Sequence, residues 1–358
     1  MTGRVTEMKG PNPFTLWEES LENLVGRKEE EDTFRDFLNR VTSRHAATLL
    51  ITGVPGAGKS ILLRHFSDEA QKAGLLTAYA KVERGEQMRD IIAKLRHEAL
   101  AFVPLPAHPI SGRREEPETL DGIVRHIMHG KKNVTGIVFF IDDIDEVRDI
   151  KGALRELTEA MKSAGILGHG GHGLGTGTGL VVSSTRELAG AQAEMRNLRL
   201  KPFDEHDARE LVTRALKGSQ LRMGDECLAS ILADTGGNPR LFRIICWQIY
   251  EKLKENDKVI SKGHYMAHLP TIMNVLSREW FGRMFHETPK AELGILAAMS
   301  KEESGMHVSD IAREIGRPLG QTTALMGRLL ARGGVVRLER GKYAIFATLY
   351  ARYVAQRI

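Results

Sequence analysis

A chain of 358 residues, 42% apolar and 27% charged, exceeds what one ordinary hydrophobic core accommodates and points to two or three soluble domains. Its only cysteines, Cys227 and Cys246, exclude a disulfide framework or a multi-cysteine zinc site and fit a reducing cytoplasm. No apolar run is long enough to span a bilayer, MTGRVTEMKG lacks the apolar core of a signal peptide, and the net charge of +5 is mild.

The first stretch that carries chemistry is ATLLITGVPGAGKSILLRHF, residues 47–66. Leu49–Thr52 is short and apolar, as a buried parallel strand requires. Gly53, Gly56 and Gly58 let the backbone fold closely around an anion, and helix formers begin at Lys59. Gly53, Val54, Pro55, Gly56, Ala57, Gly58, Lys59 and Ser60 satisfy GxxxxGK[ST], with Ile61 next in the first helical turn. In that context backbone N–H groups and the helix dipole cradle phosphates. Lys59 reaches the β- and γ-phosphates and Ser60 ligates Mg²⁺, so ATP and Mg²⁺ are the expected cofactors.

A second strand is expected at Leu76–Val82. The proline-rich stretch 103–118 reads as a surface loop ahead of a helix at Leu120–His129. GIVFFIDDIDEV, residues 136–147, then gives a continuous apolar strand, Ile137–Ile141. Asp142 emerges at its carboxyl end, where ligands bind in open α/β sheets, and pairs with Ser60 as a Mg²⁺ ligand. Asp143 is placed to polarise an attacking water, while Asp145 and Glu146 read as acids at a helix N-terminus. Eight glycines in residues 165–179 predict a mobile surface loop, on which His169 and His172 make a poor metal site. GLVVSSTREL, residues 179–188, gives a strand ending in Ser183, Ser184 and Thr185. Arg186 follows, either as a γ-phosphate sensor or as a solvated terminus. With a last strand at Leu198–Leu200, strands alternating with helices imply an α/β fold, a parallel sheet covered on both faces.

Residues 200–216 and 231–253 are helical in pattern, with Gly237, Asn238 and Pro239 breaking one helix and Arg240 opening the next. After Phe285 come three short helices, Ala291–Met299, 308–316 and 318–335, then a hairpin around Arg340-Gly341. This order resembles a winged helix-turn-helix. In the third helix Leu325, Met326, Leu329 and Leu330 are expected to face inward. Gln321, Thr322, Arg328 and Arg332 face outward and, with Arg340 and Lys342 of the hairpin, are the candidate DNA contacts. From Pro318 onward seven Lys/Arg stand against one acid, Glu339, a concentration that favours a phosphate backbone.

Together these motifs resemble the AAA+/STAND-type P-loop ATPases, especially the archaeal-type and origin-recognition-like members, over most of the chain. The resemblance begins with Asn12, Pro13 and Phe14 and with LVGRKEEEDTFRDFL, residues 24–38, whose Gly26 and Arg27 it implies near adenine. In that group an acid, often Glu, follows the metal-binding Asp and activates water. Here it is Asp143, one methylene shorter, which predicts slow hydrolysis. Thr185–Arg186 is similar to the sensor-1 element, and Gly237-Asn238-Pro239 to the lid element, which implies Pro239 on the base and Arg240 as a sensor-2 group.

What this implies is a P-loop ASCE core over 1–200, a helical lid over 201–285 and a winged helix-turn-helix over 286–358. The function expected is a cytoplasmic ATP/ADP switch, with no membrane partner, whose winged helix contacts double-stranded DNA. The alternative is a signalling or scaffold ATPase whose winged helix binds protein. A nucleotide-dependent homo-oligomer fits either reading. A ring motor fits less well, because Arg196 is only a weak candidate for a trans arginine finger and no aromatic pore-loop pattern is seen.

Overall fold

Every residue of the strand Gly136–Asp142 is buried, which requires cover on both faces of its sheet. In this computed structural model, which describes residues 10–14, 24–101, 117–130, 134–167, 177–186, 188 and 195–358, the strand lies in a unit of Arg27–Gly53 and Lys59–Leu200. The unit runs α1 (Lys28–Thr42), β1 (Ala46–Thr52), α2 (Lys59–Lys72), β2 (Leu76–Lys81), α3 (Met88–Leu100), α4 (Leu120–Gly130), β3 (Gly136–Asp142), α5 (Ile150–Leu167), β4 (Gly177–Ser184) and β5 (Arg196–Arg199). Its sheet is parallel throughout, in the order β2-β3-β4-β1-β5. The expected α/β sheet is therefore present, and β4 separates the phosphate-loop strand from the acid-bearing strand.

Successive side chains of β3 point to opposite faces. On one face Phe34 of α1 stacks on Phe66 of α2, ring centroids 3.9 Å apart, and tilts onto Phe140. On the other, Ile91, Leu95, Ile123, Ile127 and Leu157 from α3, α4 and α5 close over Leu50, Phe139, Ile141 and Leu180. Each fully buried ring or branched side chain contributes about 1.5–3 kcal/mol.

The glycine-rich stretch departs from expectation at its ends. Residues 168–176, with His169 and His172, lie outside the described residues, as do residues 102–116 of the proline-rich loop. Gly177 and Gly179, however, are buried positions of β4. A Cβ on Gly177 would stand 1.8 Å from the Val41 carbonyl oxygen, and one on Gly179 would stand 2.8 Å from the Phe37 ring. These two glycines serve close packing of α1 on the sheet, a demand that composition alone does not distinguish from flexibility.

The other unit comprises Met1–Gly26, Val54–Gly58 and Lys201–Ile358. It runs α6 (Glu205–Ala215), β6 (Arg222–Met223), α7 (Asp225–Thr235), α8 (Pro239–Lys252), β7 (Val259–Ile260), α9 (Lys262–Leu276), α10 (Gly282–His286), α11 (Lys290–Met299), β8 (Met306–His307), α12 (Val308–Glu314), α13 (Leu319–Ala331), β9 (Val335–Glu339), β10 (Lys342–Ile345) and α14 (Thr348–Ala355). Asp204 caps α6 by accepting the Asp207 N–H, and Ser261 caps α9 by accepting that of His264. The hairpin β9-β10 takes β8 as a third antiparallel strand, in the order β8-β10-β9. One core, including Phe242, Ile245, Tyr265, Phe281, Leu296, Met326 and Tyr350, runs through the whole unit. Among the described residues no helix is long and apolar enough to cross a membrane.

Candidate nucleotide site

β1 delivers Gly53 to the carboxyl edge of the sheet, where its N–H donates to the Ser184 carbonyl at 3.3 Å. α2 opens with Lys59, a buried lysine whose Nζ donates to the Gly53 carbonyl at 2.9 Å, while Ser60 and Ile61 behind it are half-buried. Burial pushes the Lys59 ammonium below its usual range; Asp143, Asp145 and Asp142 oppose that shift. The acids and the lysine therefore form one electrostatic group.

The loop tip, Val54–Gly58, packs within the unit that holds α6–α14. Gly56 has φ of 80°, a left-handed conformation that favours glycine. Any Cβ there would meet the Asn238 side chain and the Trp280 ring, each at 2.7 Å. Asn238 Nδ2 donates to the Pro55 carbonyl at 2.9 Å, and the Arg240 N–H donates to the Gly56 carbonyl at 3.3 Å. Asn238 also caps α8, its Oδ1 accepting from the N–H groups of Arg240 and Leu241, with buried Pro239 at the first helical position. The Arg240 guanidinium lies 5.2 Å from the Trp280 ring centroid. Trp280 sits on a π-helical turn, Ser277–Phe281, a local insertion of the kind that re-aims side chains. Gly333 of the same unit closes on the Pro55 ring, since a Cβ there would stand 2.2 Å from Pro55 Cδ.

At the end of β3, Asp142 is fully buried. Its Oδ1 accepts the Ser183 hydroxyl of β4, and its Oδ2 accepts the Tyr79 hydroxyl of β2 at 2.9 Å. Burial, the Asp142 charge and that hydrogen bond raise the Tyr79 pKa, so the phenol is a donor at neutral pH. Asp143 turns the chain through φ 57°, ψ 46°, and its N–H donates to Ser183 Oγ at 2.9 Å. Its carboxylate lies 3.9 Å from Lys81 Nζ. Burial and then the charge of Asp142 push the Asp143 carboxyl up to about 6, against the pull of Lys59 and Lys81.

The next acids depart from expectation. Asp145 and Glu146 lie in a short 3-10 turn, Ile144–Glu146, well ahead of α5. Asp145 is buried and accepts both the N–H and the hydroxyl of Thr185, and its Oδ2 is 3.9 Å from Arg186 Nε. It ties the end of β4 to the turn after β3, while Glu146 points to solvent.

Gly26 is exposed with φ of 65°, and Arg27 is buried and pairs with Glu30 at 3.2 Å. Arg196 on β5 pairs with Asp36 at 3.3 Å. In α13, Leu325, Met326 and Leu329 are buried as expected. Thr322 corrects the expectation: it is fully buried and its hydroxyl donates to the Pro318 carbonyl at 3.2 Å, so it cannot reach a groove. Arg332 is held by the buried carboxylate of Glu292 at 2.9 Å. Gln321, Arg328 and Arg340 are exposed and Lys342 is half-exposed.

Sequence reasoning missed Tyr79, the anchoring role of Asp145, and Trp280. Tyr79 carried one weak signal, a hydroxyl two residues from the end of a strand in a sheet whose carboxyl edge binds ligands.

A phosphate loop, an inserted strand and a buried acid at the end of the next strand define a P-loop ATPase. Residues 23–167 match the family model of the AAA ATPase domain, and ATP hydrolysis is the activity that this match supports. Among solved structures, the Walker-type ATPase PABY2304 of Pyrococcus abyssi aligns over 97% of this chain and 100% of its own, with a TM-score of 0.70 at 16% identity. Cdc6p from Pyrobaculum aerophilum aligns over 96% of this chain and 97% of its own, with a TM-score of 0.52 at 17% identity. At such identities the likeness is one of fold, and it is consistent with the fold that the archaeal-type and origin-recognition-like resemblance implies. No curated protein matches the chain in sequence.

Proposed function

We propose that the chain is an ATP-dependent switch that hydrolyses slowly and couples its nucleotide state to a C-terminal winged helix-turn-helix, α11–α14 with β8–β10, that contacts double-stranded DNA. The acid pair carries this reading. Asp142 is held by two neutral hydroxyls, and Asp143 is fixed beside it by a left-handed backbone and the Ser183 hydroxyl. The donors are hard oxygens, a carboxylate at Asp142 and a hydroxyl at Ser60, which suits Mg²⁺. Ser60 and Asp142 would hold the ion, which would supply positive charge to offset that of the transferring phosphoryl group. Lys59 neutralises phosphate oxygens, the N–H groups of residues 53–60 cradle them, and Asp143 orients the attacking water.

Asp143 is shorter than the Glu common in related proteins, and Arg186 is drawn towards Asp145; both support slow turnover. The coupling is supported by the contacts of the loop tip with Asn238, Arg240 and Gly333 within its own unit. The adenine roles of Gly26, Arg27 and Pro239, and the phosphate-sensing roles of Arg186 and Arg240, belong to the same proposal. The DNA face then keeps Gln321, Arg328, Arg340 and Lys342, without Thr322 or Arg332, and gains exposed Arg337 of the hairpin.

Single-turnover hydrolysis tests the assignment. Asp143→Asn should bind ATP and abolish turnover, whereas Glu146→Gln should turn over at the wild-type rate. The reverse outcome removes Asp143 from the water.

A second reading has its own observation. Leu319 and Leu338, 52% and 53% exposed, lie on the helix–hairpin segment, and apolar side chains of that size suit a protein surface better than phosphates. The molecule would then be a signalling or scaffold ATPase with a protein partner.

A further inference from the structure

The hydroxyls around Asp142 come from the strands on either side of β3. Tyr79 stands opposite Phe140 in the β2–β3 register, two residues before Lys81, which stands opposite Asp142. Spacing of two puts Tyr79 and Lys81 on the same side of β2. Tyr79 reaches Asp142 Oδ2 at 2.9 Å, and Lys81 reaches Asp143 Oδ2 at 3.9 Å. One edge strand thus meets both acids, the first with a neutral donor and the second with a cation. Arg64, on the helix that follows the phosphate loop, lies 5.9 Å from the Tyr79 ring centroid. The phenol oxygen is thus committed to Asp142 while a cation stands near its ring.

The type of donor matters. An ionised carboxylate offers about four lone-pair positions. Tyr79 and Ser183 take one on each oxygen, which fixes the carboxylate plane and leaves the remaining positions open. A lysine in place of Tyr79 would cancel the charge of Asp142 and compete with a cation. A phenylalanine would remove the donor from Oδ2 and release the carboxylate to rotate.

We propose that Tyr79 is a positioning residue that orients the Asp142 carboxylate for the divalent cation of the bound nucleotide. This rests on the nucleotide reading above, and it assigns a task to β2 that the phosphate-loop and acid motifs do not contain. Partners that hold a metal ligand in place are typically worth about 10- to 100-fold in metal affinity.

The test compares full-length wild type with Tyr79→Phe, which keeps the ring under Arg64 and removes only the hydroxyl. ADP affinity is measured in EDTA, and Mn²⁺ affinity is measured by electron paramagnetic resonance with ADP saturating. Tyr79→Phe should bind ADP in EDTA within about twofold of wild type and bind Mn²⁺ at least about tenfold more weakly. Arg64→Met, which leaves the hydroxyl and removes the guanidinium near the ring, should show the same split at smaller amplitude. Unchanged Mn²⁺ affinity in both variants overturns the proposal. So does an equal fall in ADP and Mn²⁺ affinity, because that is the mark of a merely structural tyrosine. Wild type that binds neither ADP nor Mn²⁺ overturns the nucleotide reading itself, and is told apart from the other failures by the wild-type arm alone.

Discussion

Asp143 is held in an environment that works against an ionised aspartate. Its φ of 57° lies in the left-handed region, where aspartate and asparagine are among the few comfortable non-glycine residues, so Asp143→Asn keeps the backbone. Its carboxyl, ordinarily near 3.8, is raised to about 6 by burial and by Asp142. The folded protein therefore holds that proton more tightly than the unfolded chain. This contribution to stability is fully present below pH 3.8 and is lost as pH rises through about 6. Asp143→Asn carries no such charge, so in nucleotide-free buffer with EDTA it should be more stable than wild type above pH 6. The gain is about 2 kcal/mol, reduced from the full linkage value because 26% of the side chain is exposed. Urea midpoints from pH 4 to 8 read this directly: the two proteins should diverge as pH rises, and parallel curves would contradict the assignment. At this scale the sequence was legible wherever neighbours in the chain are neighbours in space. Lys59, Ser60, Asp142 and Asp143 sit in two contiguous motifs. Tyr79, by contrast, is 63 positions from Asp142, and only the strand register brings them together.

Within the C-terminal elements, α13 shows how a surface reading fails by one turn. Helical spacing correctly buried Leu325, Met326 and Leu329, but Thr322 falls on the same stripe, and a threonine hydroxyl can satisfy itself on the helix backbone at Pro318. Arg332 is a structural cation. Its partner Glu292 on α11 is 1% exposed, and among the described residues the second oxygen, Oε1, has no hydrogen-bond partner. Removing the guanidinium leaves a buried carboxylate with no cation at 2.9 Å. Arg332→Met should therefore cost about 3 kcal/mol, towards the low end for buried pairs, because Arg332 itself is 42% exposed. Adding Glu292→Leu should recover most of the loss. A double-mutant cycle from urea unfolding checks this, and additive single effects would show that the pair is not coupled. Strand positions were legible to within three residues because apolar runs mark buried parallel strands. The β4 boundary was missed, since Gly177 and Gly179 signal a loop in sequence and close helix packing in the fold.

For the molecule as a whole, the net charge of +5 understates the asymmetry, because seven basic residues and one acid follow Pro318. Two of those bases are already engaged, Arg332 with Glu292 and Arg352 with Asp234 at 3.2 Å. The exposed or half-exposed set on α13 and the hairpin is Arg328, Arg337, Arg340 and Lys342. If these four meet phosphates, the logarithm of DNA affinity should fall with the logarithm of salt at a slope of about −3.6, or roughly a 150-fold loss from 50 to 200 mM. Replacing Arg340 and Lys342 together by glutamine should flatten that slope by about 1.8 and weaken all sequences alike, because neither need touch a base. Gln321→Ala should instead leave the slope alone and change the preference among sequences. Anisotropy titrations with a short duplex, in ATP and in ADP, measure all three. A salt slope near zero would move the interface from phosphate to protein. Exposed Leu319 and Leu338 would then be the side chains to replace, and the basic hairpin would be a solvated edge.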